Sequence, residues 1–245
     1  MLATDLGQLK VTSIDFEKAV VQKMSDKKVL GVDYQVMDML KMDFEDNSFD
    51  IVLDKGSFDA LCCDKTEETR EKTLQYLNEV CRVLAARPAD SADGACHFTI
   101  VSLLQDFVFA QLLSYFVEGK ANPFKDKYQF TLNLHMIKNI IKLGEGKKFI
   151  PFLVQVVKTE RKEGEEYKKD IYLYSSPDTK EPDQLNLFSA IRRVKNVQTE
   201  AMVDSTIRVF RPGMSVTMTS ETTLNGIPKY TLLIIDSAEK NIAKK

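Results

Sequence analysis

Apolar residues recur along the first half of the chain with two periods that alternate from segment to segment. Segments that are continuously apolar and rich in β-branched residues predict strands. Segments in which apolar residues return every four positions predict helices, as Phe16, Val20 and Met24 do. The predicted strands are 9–15, 33–39, 49–54 and 96–103, and the predicted helices are 16–24, about 66–84 and 104–119. Such repeated strand–helix units predict a parallel sheet with helices on both faces.

The second half of the chain departs from this alternation. Two strand-like segments follow one another without a convincing helix between them, which predicts an antiparallel pair at one edge of the sheet. A nearly all-charged run predicts a solvated linker. Beyond it, a short strand, a helix and two strands around the Asn225–Gly226 turn predict an α+β extension that ends in a hairpin. The predicted units are a mostly parallel α/β domain at 1–160, a linker at 161–170 and the extension at 171–245.

Composition and charge exclude several classes of function. The formal net charge of the 245 residues is -2, so no basic surplus indicates a nucleic-acid partner. No apolar run reaches the roughly 18 residues that a membrane-spanning helix needs, and the N-terminus lacks the features of a signal peptide. The four cysteines form no C-x-x-C pair and the chain has two histidines, so we expect no metal site. Four reduced thiols are typical of a cytoplasmic protein.

Three successive predicted strands each end in an acid, namely Asp15, Asp38 and Asp54. Each of them fits a helix cap or a turn, because aspartate favours both. In an open parallel sheet, however, ligands bind beyond the carboxyl ends of the strands, where all three acids converge. Asp15 is placed to accept hydrogen bonds from ribose hydroxyls and Asp38 from an adenine amino group. Gly56 would let the backbone pass close to a ligand, because glycine has no Cβ.

The stretch that begins at Asp54 carries a family resemblance. Its D-K-G-S-x-D-A pattern is formed by Asp54, Lys55, Gly56, Ser57, Asp59 and Ala60. With the residues around it, this pattern resembles the class I S-adenosylmethionine-dependent methyltransferases, and more narrowly the group that methylates lysine and the N-terminus of elongation factor 1-alpha. The resemblance implies a Rossmann-like sheet, S-adenosyl-L-methionine as cofactor and a protein substrate such as that elongation factor.

The resemblance also implies a role for each strand end. Asp15 corresponds to the acid that binds the ribose, while Asp38 and Met39 correspond to the adenine contacts. Asp54 stands where the methyl group meets the incoming amine, and we expect it to be catalytic. Its carboxylate would position the amine and help remove the proton, which an unperturbed lysine holds with a pKa of about 10.4.

One departure from the family concerns its first strand and the glycine-rich loop that follows. Neither precedes Asp15, and the one G-x-G of the chain, at Gly144 and Gly146, comes far too late. The missing strand would lie centrally, between the strands that end at Asp15 and Asp54, and its loss would leave backbone groups unpaired. We therefore expect an internal piece of a longer protein or a truncated form of it.

Two other functions stay open from the sequence. A catalytically weak or inactive methyltransferase remnant would act as an interaction module. A nucleotide-dependent oxidoreductase also uses an acid after a strand, but the chain has no G-x-G-x-x-G fingerprint. The sequence leaves the oligomeric state undetermined.

Overall fold

The computed structural model describes residues 10–91, 94–136, 142–143, 147–148, 151–175, 179–202 and 231–236. Within these ranges the chain forms a nine-stranded sheet and a separate two-stranded one. The strands are β1 (Lys10–Asp15), β2 (Val32–Val36), β3 (Ile51–Lys55), β4 (Cys96–Ser102), β5 (Tyr128–Met136), β6 (Lys142–Leu143), β7 (Lys147–Lys148), β8 (Phe152–Glu160), β9 (Ile171–Tyr174), β10 (Asp183–Leu185) and β11 (Thr231–Asp236). The helices are α1 (Lys18–Ser25), α2 (Ser57–Leu61), α3 (Glu67–Val83), α4 (Asp106–Leu112), which continues into a π-helical turn at Leu113–Val117, and α5 (Leu187–Met202).

The large sheet has the order β10-β9-β5-β8-β4-β3-β11-β1-β2. All of its strands run in the same direction except β8 and β10, which pair antiparallel with their neighbours. The prediction of a mostly parallel α/β sheet with an antiparallel β5–β8 pair is therefore confirmed. The pair does not end the sheet, however, because β9 continues it in parallel beside β5 and β10 forms the edge.

The central position of the sheet is filled from the far end of the chain. Strand β11 lies between β1 and β3 and is parallel to both, with five register pairs on each side. This corrects the expected gap, since the backbone groups of β1 and β3 that face each other find their partners on β11. It also corrects the expected C-terminal hairpin and the separate extension, since β9, β10 and β11 all belong to the large sheet. The other predicted hairpin strand lies outside the described residues.

The core lies between the large sheet and the helices α3 and α4. A chain of aromatic rings crosses it, with centroid separations of 5.9 Å for Phe58–Tyr76, 6.3 Å for Tyr76–Phe98, 6.5 Å for Phe98–Phe116 and 5.4 Å for Phe116–Phe130. All five rings are almost completely buried. Each such ring contributes roughly 2–3 kcal/mol of apolar burial, so this chain fixes α3 firmly against the sheet.

Helix α1 begins later than the sequence pattern predicts. Glu17 caps it, because its side chain accepts a hydrogen bond from the amide of Ala19, and the first helical residue is Lys18. Phe16 therefore lies outside the helix, with 67% of its surface exposed, and the buried residue of α1 is Val21. The predicted apolar face is therefore wrong only at Phe16, because the cap shifts the start of the helix past it, whereas Val20 and Met24 are half-buried. No helix in the described part of the chain is long and apolar enough to cross a membrane.

Lys158 lies just before the charged linker predicted at 161–170, yet it is a core residue of β8, with 1% of its surface exposed. Its ammonium donates hydrogen bonds to the carbonyl oxygens of Leu84 (2.5 Å) and Cys81 (2.8 Å) at the end of α3, and to Asn47 Oδ1 (3.2 Å). It also lies 4.0 Å from the centre of the Tyr128 ring. A cation at this position pairs with the last carbonyls of the helix and with the negative end of its dipole. Burial lowers the pKa of Lys158 to about 8.

Replacing Lys158 with methionine keeps the length of the side chain and removes its three hydrogen bonds. We expect Lys158→Met to lower the free energy of unfolding by about 1–3 kcal/mol, because two buried carbonyls lose their donor. Lys168→Met is the control, since the Lys168 side chain is 58% exposed in its ion pair with Glu165 and should contribute less than about 0.5 kcal/mol. The chain has no tryptophan, so urea unfolding is followed by circular dichroism. Equal losses in both variants would contradict the capping role.

Candidate active site at the carboxyl edge of the sheet

Strands β1, β11 and β3 bring the predicted site residues to one edge of the sheet. Ile14 is in register with Ile235, and Ile235 with Asp54, so Asp15 and Lys55 end their strands at the same level. They are two strands apart, which corresponds to about 10 Å across the sheet. The structure therefore places Asp15 beside the turn that follows β3, with the carboxyl end of β11 between them.

Asp15 is half-buried and forms the turn that leads into α1. Its Oδ1 accepts a hydrogen bond from the amide of Glu17 at 2.8 Å. This is the turn role that aspartate commonly plays, and it also fixes the direction of the carboxylate. The exposed ring of Phe16 follows directly, so an acid and an apolar ring lie next to each other at the edge. The sequence prediction did not include Phe16 in the site, because it assigned the residue to the helix.

Asp38 and Met39 lie in the turn that follows β2. The exposed Asp38 accepts a hydrogen bond on Oδ1 from the amide of Leu40 at 2.8 Å, and its carbonyl accepts one from the amide of Lys41. Met39 is half-buried and packs against the core. The turn thus presents a carboxylate and a backbone segment one strand further out than Asp15.

Asp54 has a setting that differs from the expected one. Its side chain is 0% exposed and points toward α3, where Tyr76 donates a hydrogen bond to Oδ2 at 2.5 Å. The amides of Ser57 and Phe58, at the start of α2, donate to the same carboxylate at 2.9 and 3.0 Å. Asp54 shares a sheet face with the buried Val52, and this alternation turns its carboxylate into the core. In this structure Asp54 therefore holds α2 and α3 in place through its hydrogen bonds, and its contact with the amine stays a prediction.

Gly56 has a conformational reason for being glycine. Its φ of +88° lies in the left-handed region, which a residue with a Cβ adopts only at a cost. The turn that Gly56 makes ends β3 and starts α2 within a single residue. Asp54 can reach the first amides of α2 because of this turn. The turn also leaves the half-buried Lys55 as the last residue of β3 at the edge.

Asp59, the second acid of the D-K-G-S-x-D-A pattern, connects α2 with the carboxyl end of β4. Its Oδ1 accepts a hydrogen bond from the Ser102 hydroxyl at 2.6 Å, and its Oδ2 accepts one from the amide of Leu103 at 2.9 Å. Burial raises the pKa of the Asp59 carboxyl. The sequence signal that could have indicated this role is the spacing of the two acids: Asp54 precedes α2, and Asp59 lies inside it.

The carboxyl of Asp54 titrates far from its usual range. Burial raises its pKa to about 7, although the hydrogen bonds from Tyr76 and from the α2 amides act in the opposite direction. The nearby Asp59 carboxylate raises it further.

No group of three or more histidine, cysteine or acidic residues among the described residues could hold a metal ion.

Replacing Asp54 with asparagine keeps its size and removes its ionisation. The folded-state pKa of about 7 lies above the unfolded value of ~3.9, so the stability from this group is complete below about pH 4 and is lost as the pH rises through 7. We therefore expect the free energy of unfolding of the unmodified chain, minus that of Asp54→Asn, to fall by roughly 2–4 kcal/mol between pH 4 and pH 8 in urea titrations.

Tyr76→Phe is the companion variant in these titrations. It removes the hydrogen bond that favours the ionised carboxyl and so raises the folded-state pKa of Asp54 further, which should extend the fall in stability to higher pH. A difference between the unmodified chain and Asp54→Asn that is the same at every pH would contradict the raised pKa.

Comparison with known proteins finds similarity to methyltransferases. Residues 1–87 match the family model described as a methyltransferase domain. The eEF1A lysine and N-terminal methyltransferase of Xenopus laevis is 31% identical over 118 residues, which are 47% of this chain and 16% of that protein. The human protein of the same name is 36% identical over 83 residues, which are 33% of this chain and 12% of that protein. The chain thus spans less than a fifth of the length of both relatives.

Two further matches extend the comparison. EEF1A lysine methyltransferase 4 of Bos taurus is 36% identical over 98 residues, which are 36% of this chain and 38% of that protein. A solved SAM-dependent methyltransferase of Methanosarcina mazei superposes with a TM-score of 0.41 at 13% identity. The superposition covers 61% of this chain and 82% of that chain, and it is too weak to support any conclusion about this chain. The domain match and the relatives confirm the resemblance seen in the sequence. Residues 1–87 are therefore similar to a methyltransferase domain, and the similar relatives are methyltransferases named for eEF1A.

Proposed function

We propose that this chain is a methyltransferase domain that transfers the methyl group of S-adenosyl-L-methionine to an amine of a protein, with lysine of elongation factor 1-alpha or a similar protein as the acceptor. The observation that carries the proposal is the arrangement of the sheet edge. Asp15 and the Lys55–Ser57 turn lie two strands apart at the carboxyl ends of parallel strands, where ligands of open α/β sheets bind.

The residues at this edge fit the nucleoside part of the cofactor. The Asp15 carboxylate can accept hydrogen bonds from both ribose hydroxyls, because the turn hydrogen bond from Glu17 uses one of its lone pairs and leaves the others. The exposed Phe16 ring offers an apolar face to a purine. Asp38 can accept from the amino group of adenine, and the backbone of Met39 lies beside it. Gly56 keeps the turn after β3 free of a side chain at the edge.

Bound S-adenosylmethionine supplies the methyl group as an electrophile, and the protein aligns the acceptor with it. We assign Asp54 a positioning role, because its carboxylate fixes the first turn of α2 and thereby the Lys55–Ser57 turn. Asp59 extends this support to Ser102 and Leu103 at the end of β4. The two acids thus hold the two strand ends that border the acceptor side of the site.

The acceptor and the location follow from the relatives and the composition. Curated relatives are named for lysine and N-terminal methylation of eEF1A, which supports a protein substrate. The near-neutral net charge gives no reason to assume a nucleic-acid or membrane partner. Four free cysteines, three of them buried, fit a cytoplasmic protein.

The direct test is transfer of radiolabelled methyl from S-adenosylmethionine to purified elongation factor 1-alpha. We expect Asp15→Asn to reduce transfer and S-adenosylhomocysteine affinity at least tenfold, because an amide accepts fewer hydrogen bonds from a ribose diol. The control is Asp33→Asn, which makes the same change at an exposed acid of β2 and should stay within about threefold of the unmodified chain. Equal effects of the two variants would contradict the assignment of Asp15. Cofactor binding without transfer to any protein would favour the interaction module.

The sequence around β11 lacks a glycine-rich loop, so we expect the chain to recognise the amino-acid part of the cofactor weakly. Residues 227–245 contain no glycine, and glycine is the residue that most readily lets a backbone pass close to a ligand. We expect 5′-methylthioadenosine, which keeps the nucleoside and lacks the amino-acid group, to bind within about threefold of S-adenosylhomocysteine in calorimetric titrations. A preference for S-adenosylhomocysteine above about thirtyfold, or ~2 kcal/mol, would show that this chain also recognises the amino-acid part.

A further inference from the structure

Strand β11 is the one described connection between the two parts of the proposed site. In the described pairings β1 pairs with β2 and β11, and β3 pairs with β11 and β4. The β1–β2 pair carries Asp15 and leads to the turn with Asp38, whereas β3 carries the turn with Gly56. These two groups of residues keep their relative position through the backbone hydrogen bonds of β11.

We infer that β11, which comes from the C-terminal part of the chain, positions the two parts of the site relative to each other. The place between β1 and β3, called the slot below, accommodates one parallel strand. Its ten register pairs, five on each side, fix the separation of Asp15 and Lys55 at two strand spacings. The part of this inference that concerns the ligand rests on the proposed function, whereas the placement of β11 stands on the register alone.

The sequence of β11 fits a strand that is covered on both faces and paired on both sides. The run Thr231-Leu232-Leu233-Ile234-Ile235 is continuously apolar after its first residue, which is typical of central parallel strands. Ile235, whose side chain the structure describes, has 2% of its surface exposed and belongs to the core cluster. A strand at a sheet edge would expose unpaired backbone groups and carry charges to prevent aggregation. The segment therefore matches the slot in pattern as well as in register.

The loss of β11 would change the site in a defined way. The facing edges of β1 and β3 would each lose their hydrogen-bond partners, at a cost comparable to a lost hydrogen bond for every buried group. If β1 moved to pair with β3 directly, Asp15 would approach Lys55 by one strand spacing, about 4.8 Å. If it did not move, the β1–β2 pair would separate from the sheet. In both cases the ribose-binding acid would no longer have its distance from the Gly56 turn.

A disulfide across the register tests the placement in the full chain. Ser13 and Ile234 are register partners, and adjacent strands about 4.8 Å apart fall within the Cα separations that disulfides accept. We expect Ser13→Cys with Ile234→Cys to form an intramolecular disulfide under mild oxidation, identified by peptide mass spectrometry. All variants carry Cys63→Ser, which removes the exposed native thiol.

The matched control is Ser13→Cys with Leu232→Cys. Leu232 lies two residues out of register, so the two cysteines are diagonal neighbours and should form the disulfide at least tenfold more slowly. Equal rates for the two pairs, or a covalent dimer as the main product, would overturn the placement of β11 within its own chain.

Ligand affinity of the oxidised in-register variant tests the positioning role. The disulfide fixes β11 in the slot, so S-adenosylhomocysteine should bind the oxidised form within about threefold of the reduced form, and the oxidised form should unfold at a higher temperature. A loss of affinity above tenfold on oxidation would overturn the positioning role, because binding would then require β11 to leave. If neither form bound the ligand, the proposed function would fail together with the positioning role, and the rates of disulfide formation would still decide where β11 lies.

Discussion

Backbone pairing at the centre of the large sheet is the constraint on which the rest of the structure depends. A parallel sheet of this kind is covered on both faces, so an empty position between β1 and β3 would leave rows of N–H and C=O groups without partners. The chain satisfies these groups with β11, which comes after every other described element in sequence and lies in the middle in space. The separation between Asp15 and the turn after β3 is therefore set by a strand that carries none of the predicted ligand-binding residues.

The buried carboxyl of Asp54 shows how the same turn combines stability with positioning. A lone buried charge is costly, and the raised pKa of Asp54 reflects this cost. Tyr76 and the first amides of α2 compensate for part of the cost by donating hydrogen bonds to the carboxylate. The result is a rigid link between β3, α2 and α3, because each of its hydrogen bonds is formed in a site closed to water. A group held in this way is suited to fixing a turn, and it would have to leave three partners before it could contact an amine.

Sequence patterns predicted the parts of the fold that depend on local periodicity. Strands β1, β3 and β4 and helix α3 were found because apolar spacing marks them within a few residues. The position of β11 was missed, because its pattern gives a buried strand but not the strands that it joins, which are more than 170 residues away in the chain. The direction of the Asp54 side chain was missed because Ile51, Val52 and Leu53 are all apolar, so alternation could not show which face is the core. The burial of Lys158 was readable in principle, since it continues the alternation of the buried Phe152, Val154 and Val156.

For the acids at the strand ends, the observed turn role is compatible with the proposed ligand-binding role. Asp15 accepts a hydrogen bond from the amide two residues ahead, and so does Asp38. Such a bond fixes the side-chain torsions of the acid before any ligand arrives, so less conformational entropy is lost on binding. A carboxylate has about four lone-pair sites, so one hydrogen bond to the turn leaves capacity for a diol or an amino group. The local preference of aspartate for turns therefore suits Asp15 and Asp38 to the proposed binding, whereas the buried Asp54 already uses its hydrogen-bonding capacity inside the protein.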